Sequence, residues 1–164
     1  MSDKLEKRLQ ELGLNLNDLN PILAKDPNYQ LQLHQDRLAV YQQVDKHYVF
    51  VDFNSKQLNY RSQSHLNAEL VVKAVLGKSK QPLKIMDCTA GFGKDAYILS
   101  LTGCEIIAYE ANILMYALLK DGLNQCGIDN IHLQNKNALE YIKSCSCDVI
   151  YLDPMYPDNK KSAK

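Results

Sequence analysis

Asp87-Cys88-Thr89-Ala90-Gly91-Phe92-Gly93-Lys94-Asp95 is the stretch that decides the fold. It follows a short run, Leu83-Lys84-Ile85-Met86-Asp87, that predicts a strand, and it opens a predicted helix over 94–102 closed by Gly103. A sheet built this way binds ligands at the carboxyl ends of its strands, near the point where strand order reverses. Gly91 and Gly93 let the backbone approach such a ligand with no Cβ in the way. Glu110 ends the next predicted strand, 19 residues after Gly91, where a carboxylate can accept hydrogen bonds from both hydroxyls of a ribose. A glycine pair alone is a common turn. With a strand before it, a helix after it and an acid at the next strand end, it describes an adenosine-type cofactor site.

Working outward, the strand–helix alternation continues. Residues 104–110 predict a strand. Residues 112–126 predict a helix with Met115, Leu118, Leu119 and Leu123 inward and Gly127 just past its end. A short strand over 131–133, a helical turn or two over 138–143 and a strand over 148–153 follow. This order implies an α/β fold whose parallel sheet carries helices on both faces. Before the glycine loop, Ser64 is a candidate N-cap for a helix through residue 76, with Leu66, Leu70, Ala74 and Val75 as its apolar stripe and Gly77 as its stop.

Residues 1–62 read differently, as a small N-terminal unit preceding a cofactor-binding domain over 63–164. Leu5, Leu9 and Leu12 recur at helical spacing over 4–12, with Gly13 as the stop. Short runs at 29–33, 37–43, 47–53 and 57–60, separated by polar turns, predict an antiparallel β-meander.

The 164 residues suit one domain with a small appendage, and 46% hydrophobic against 23% charged residues is ordinary globular composition. No apolar stretch approaches the roughly 20 residues of a membrane helix. The charged start, Met1-Ser2-Asp3-Lys4-Leu5-Glu6, lacks an export core, so a cytoplasmic location is expected. Five cysteines without a Cys-x-x-Cys pair fit reduced thiols better than a disulfide scaffold or a zinc site. His34, His47, His65 and His132 lack metal spacing, so no metal is expected. Nineteen basic and nineteen acidic residues cancel, so any contact with nucleic acid must be local. Lys160, Lys161 and Lys164 are either a solvated end or such a contact.

Gly91-Phe92-Gly93-Lys94-Asp95-Ala96 also fits the G-x-G-x-x-A form of a dinucleotide fingerprint. Asp95 in the first helical turn, however, would repel a pyrophosphate. Asp87 and Asp95 instead place negative charge near a sulfonium and an ammonium, which favours S-adenosylmethionine. After the fourth strand comes Asp153-Pro154-Met155-Tyr156-Pro157. An exocyclic amine is a poor nucleophile because its lone pair is delocalised into the ring. A carboxylate and a backbone carbonyl can accept its N–H bonds and aim the nitrogen at a methyl group. Pro154 fixes the turn, and Tyr156 offers a face on which a flipped base can stack.

Together these motifs resemble class I S-adenosylmethionine-dependent methyltransferases, and within them the 16S ribosomal RNA guanine N2-methyltransferases acting on guanine 1516. The resemblance rests on residues 87–96, on residues 151–157 and the following Lys160-Lys161-Ser162-Ala163, on Val51-Asp52-Phe53, and on Lys73-Ala74-Val75-Leu76-Gly77. It implies a Rossmann-like methyltransferase sheet, represented by its first four parallel strands, behind an N-terminal helix and meander. It implies methylation of guanine in 16S ribosomal RNA or the small ribosomal subunit. It also implies cofactor contacts at Lys94, Asp95, Glu110, Ala111, Asn137, Ala138 and Asp153. Thr89 stands where many methyltransferases have a glycine, and Met155 replaces the second proline of the general amine-methyltransferase motif, both as in this family. Arg61-Ser62-Gln63-Ser64-His65 departs from a glycine- and arginine-rich stretch of relatives. The family fold has three more strands, so the chain reads as a fragment. The rival readings are an NAD-dependent oxidoreductase and a non-catalytic RNA-binding fragment.

Overall fold

The computed structural model describes residues 3–63, 66–79 and 81–154. Helix α1 (Asp3–Glu11) buries Leu5 and Leu9, and Leu12 after it, as their spacing predicts. Helix α2 (Leu16–Leu23) was not expected. Asn15 caps it reciprocally with Asp18, and Leu19 is fully buried. Pro21 inside the helix and the poor helix formers Asn17 and Asn20 hide it from periodicity, so tertiary packing decides it.

Strands β1 (Tyr29–His34), β2 (Arg37–Gln42) and β3 (His47–Val49) form the expected antiparallel meander, with Leu31, Val40 and Val49 in register. Gln35 and Asp36, both at positive φ, make the two-residue turn between β1 and β2. The fourth run is corrected: residues 57–60 belong to helix α3 (Lys56–Gln63) rather than a strand. The segment has no β-branched residue, and Ser55 Oγ accepts the Leu58 N–H at 3.4 Å, as an N-cap does.

The helix expected over 64–76 is also corrected. A 3₁₀ turn at Leu66–Ala68 precedes helix α4 (Leu70–Leu76), and Ser64 lies outside the described residues. Val71 and Val72 are its buried side chains, whereas Leu70 and Ala74 are exposed. The break at Glu69 turns the stripe by about one residue.

The remaining elements follow the predicted alternation. They are β4 (Lys84–Asp87), α5 (Lys94–Ser100), β5 (Glu105–Tyr109), α6 (Ile113–Cys126), β6 (Ile131–Gln134), two 3₁₀ turns, and β7 (Val149–Tyr151). The parallel sheet has the order β6-β5-β4-β7. The chain steps from β4 to β5 to β6 in one direction, then returns to the other side of β4. The strand order therefore reverses between β4 and β7, where an open α/β sheet binds its ligand.

Right-handed crossovers put α5 and α6 on the same face. Gly93, at φ +68, begins α5 so close to α6 that a Cβ there would lie 2.5 Å from Leu119 Cδ1. The meander packs on α6. Leu38 donates its N–H to the buried Asp121 at 2.8 Å, and Arg8 reaches the same carboxylate at 3.4 Å. Burial pushes the Asp121 pKa up against the pull of that N–H and of Arg8. The buried side chains of the meander and of the parallel sheet form one continuous core. No helix among the described residues is long and apolar enough to cross a membrane.

Candidate functional site

A cleft of about 550 Å³ lies at the carboxyl ends of β4, β5 and β7. Asp87, Gly91, Lys94, Asp95, Glu110 and Asp153 all line it, so residues up to 66 positions apart in sequence meet there as expected. Thr89, Phe92, Asn112, Met115 and Tyr151 complete the wall.

Each acid is held by a different device. Asp87 ends β4, is 2% exposed, and accepts the Thr89 N–H at 3.0 Å. Burial pushes its carboxyl up to about 6, opposed by the Thr89 bond and reinforced by the charges of Asp95, Glu110 and Asp153. Glu110 follows β5. Its Oε2 accepts the Gly91 N–H at 3.0 Å and its Oε1 the Asn112 N–H at 2.8 Å. Both oxygens keep a further lone pair, so the carboxylate is oriented without being used up. Gly91, at φ +51, has no non-local atom nearer than 3.8 Å to a Cβ placed on it, so the loop stays open on the cleft side.

Asp95 lines the cleft and is also tied to its neighbours. Arg61 Nη2 donates to its Oδ1 at 3.2 Å, and the Tyr151 hydroxyl donates to its Oδ2 at 2.9 Å. Asp95 thus brackets α3, α5 and β7 as well as lining the cleft. Burial and the bond to Asp95 push the Tyr151 hydroxyl well above the usual phenol range, so it stays protonated at neutral pH and keeps its proton for Asp95. Asp153 is exposed, and its backbone N–H donates to Thr89 Oγ1 at 2.8 Å.

Gly93 does not line the cleft; its missing Cβ serves packing against Leu119 and Phe53. Ala111 is exposed beside Asn112, Ala138 is buried, and Asn137 caps the turn after β6 by accepting the Leu139 N–H at 3.1 Å. None of these three lines the cleft among the described residues. Asn135 ties this segment to the site by donating to the Glu110 carbonyl at 2.8 Å. Pro154 is exposed at the end of the described chain. Tyr156, Pro157, Lys160, Lys161 and Lys164 lie outside the described residues.

Sequence reasoning missed Arg61 and the hydroxyl of Tyr151. Tyr151 stands two residues before Asp153, a period-two spacing that hints at a shared face. Arg61 carries no local signal, because its partner Asp95 is 34 residues away.

Residues 16–164 match the model of a family described as "Putative SAM-dependent methyltransferase". A ribosomal RNA small subunit methyltransferase J from Francisella philomiragia is 39% identical over 126 residues, covering 71% of this chain and 52% of that protein. One of the same name from Marinobacter nauticus is 34% identical over 170 residues, covering 93% of this chain and 61% of that protein. A solved SAM-dependent methyltransferase from Neisseria gonorrhoeae superposes with a TM-score of 0.65 at 28% identity, covering 79% of this chain and 57% of that one. The chain therefore spans somewhat over half the length of these relatives, and with nearly all of its length matched to the family model it belongs to the SAM-dependent methyltransferase family.

Proposed function

We propose that this chain carries the cofactor site and amine acceptor of an RNA methyltransferase. It would move a methyl group from S-adenosylmethionine to N2 of a guanine in 16S ribosomal RNA or the small ribosomal subunit, in the cytoplasm. The observation that carries this reading is the charge of the cleft. Among the described residues, Asp87, Asp95, Glu110 and Asp153 line it against a single lysine, Lys94. Such a wall suits a ligand with a sulfonium and an ammonium and opposes the pyrophosphate of a nicotinamide dinucleotide. The relatives named ribosomal RNA small subunit methyltransferase J support the substrate class.

S-adenosylmethionine, when bound, supplies a methyl group on a positively charged sulfur; the amine lone pair forms the new C–N bond as the C–S pair returns to sulfur. Glu110 accepts from the ribose hydroxyls. Gly91 leaves room for the adenosine, and Asp87 faces the cationic amino-acid end. Lys94, Ala111, Asn137 and Ala138 are the outer contacts of the proposal. Asp153 accepts an N–H of the guanine amine, aims its lone pair, takes the proton that the nitrogen loses once methylated and, being exposed, releases it to solvent. Pro154 holds that turn, and Tyr156 stacks on the extruded base.

Nucleoside mass spectrometry of 16S ribosomal RNA tests this. Cells lacking the gene should lose one N2-methylguanosine, and the wild-type gene but not Asp153→Ala should restore it. An unchanged methylation profile would overturn the substrate, and co-purification of a nicotinamide dinucleotide would overturn the cofactor.

A further inference from the structure

A second cleft, of about 420 Å³, adjoins the first and shares Asp95, Tyr151 and Asp153 with it. Its other wall comes from α4 and the residue before that helix. Leu70 and Ala74, one turn apart, line it, and Leu70 is 82% exposed, a large apolar side chain left in water beside a carboxylate-rich site. Glu69 lines it too. Arg61 Nε donates to Glu69 Oε2 at 2.8 Å, which leaves Oε1 without a hydrogen bond among the described residues.

We propose that this second cleft receives the target base and that Glu69 selects guanine by accepting its N1–H. The inference rests on the methyl-transfer reading above. In-line transfer requires the amine to approach the methyl carbon from the side opposite sulfur. Cofactor and base must therefore occupy adjoining spaces that meet at the group orienting the amine, and Asp153 lies in both. Guanine presents N2–H and N1–H as neighbouring donors on one edge. Asp153 and Glu69 are two carboxylates lining one cleft, and they match that pair. Adenine and cytosine place a ring-nitrogen acceptor beside their exocyclic amine, which would face the Glu69 lone pair unpaired. Arg61 holds Glu69 oriented through the bond to its Oε2. Leu70 and Ala74 give the ring an apolar face to lie on, the surface they leave exposed in its absence.

The test uses the full chain and two synthetic RNAs that carry either guanine or 2-aminopurine at one position. 2-Aminopurine keeps the exocyclic amine but has an acceptor at N1. The wild-type protein should prefer guanine by about 100-fold in kcat/KM, because a site built for a donor rejects an analogue lacking it. Glu69→Gln, whose amide can donate to N1, should narrow that preference to about tenfold or less while leaving calorimetric affinity for S-adenosylmethionine unchanged. Leu70→Ala, at an exposed position that folding does not need, should raise KM for both RNAs severalfold and leave the preference intact. The same preference in Glu69→Gln as in the wild type overturns the role of Glu69, and an unchanged KM in Leu70→Ala overturns the stacking wall. Wild-type transfer to guanine in either case leaves the methyl-transfer reading standing. Transfer to neither RNA by a wild-type protein that binds S-adenosylmethionine sinks both.

Discussion

Thr89 Oγ1 accepts the backbone N–H of Asp153 at 2.8 Å, tying the loop after β4 to the turn after β7. These two segments flank the point where the strand order reverses, and they carry the two halves of the proposed site. The Cys88 N–H adds a bond to the Tyr151 carbonyl at 3.0 Å one residue earlier. The sheet ladder thus extends beyond its last paired residues by a side-chain rung. A glycine at position 89 would keep the turn but lose that rung, which gives a physical reason for threonine there.

Thr89→Ser keeps the hydroxyl and should leave methyl transfer within about twofold of wild type, whereas Thr89→Val keeps the shape and removes the acceptor. The freed Asp153 N–H is exposed, so water can satisfy it and stability should fall by only about 1 kcal/mol. The misplaced carboxylate should cost more in rate, on the order of 10-fold to 100-fold in single-turnover transfer. Equal rates for the two variants would show that the rung does not position Asp153.

Glu110 should control cofactor affinity through two contacts at once. Glu110→Gln retains one carbonyl oxygen and replaces the other by an amide donor that faces a backbone N–H, at either Gly91 or Asn112. Glu110→Ala removes both acceptors and the proposed ribose partner. Calorimetry with S-adenosylmethionine should give losses of about 1–3 kcal/mol for Ala and a smaller loss for Gln. Unchanged affinity in Glu110→Ala would rule out adenosine placement between Gly91 and Glu110.

The parallel sheet was legible because its elements carry local punctuation: Gly93 caps the start of α5, Asn112 and Gly127 cap α6, and only the end of α5 differs, at Ser100 with Leu101 as its cap rather than at residue 102 before Gly103. The acids of the cleft were legible because strand ends announce themselves in sequence. What stayed hidden was decided by distant partners. Leu70 reads as core by its apolarity, yet the turn at Leu66–Ala68 rotates α4 and leaves it exposed. Asp95 reads as a cleft acid, and its added bonds to Arg61 and Tyr151, 34 and 56 residues away, have no local signal. Gly122 sits in the middle of α6 with no local reason. Only the meander crossing it supplies one.

That crossing can be measured. A Cβ on Gly122 would lie 2.5 Å from Val51 Cγ1 and 2.8 Å from Val51 Cβ, with the Val51 carbonyl at 3.3 Å. Val51 is itself buried, so it cannot swing aside. Gly122→Ala should therefore destabilise the fold by about 1–3 kcal/mol in urea denaturation, despite the better helix propensity of alanine. Adding Val51→Ala removes the nearest atom and should make the double mutant less unstable than the sum of the two single changes. Strict additivity would mean that the two positions do not touch in solution.

Asp87 makes stability fall with rising pH. Its carboxyl ionises near 3.8 in an unfolded chain and at about 6 when folded, because burial in β4 disfavours the charge. Between those values the folded state holds the proton that the unfolded state has lost, so each step up in pH favours unfolding. The full cost, about 3 kcal/mol for a shift of this size, is reached above pH 6 and is absent below pH 4. Asp87→Asn keeps an oxygen for the Thr89 N–H and carries no charge. It should therefore be more stable than wild type at pH 8 by up to that amount, and similar to it at pH 4. The variant should nonetheless bind S-adenosylmethionine more weakly, since a cationic ligand gains from the ionised acid. For the same reason wild-type affinity should rise from pH 5 to pH 7, with proton release on binding near pH 6. Urea melts of both proteins at pH 4 and pH 8, with calorimetry in buffers of different ionisation enthalpy, measure all of this. A wild type as stable as Asp87→Asn at pH 8 would mean that the buried carboxylate is solvated or paired in a way the fold does not provide.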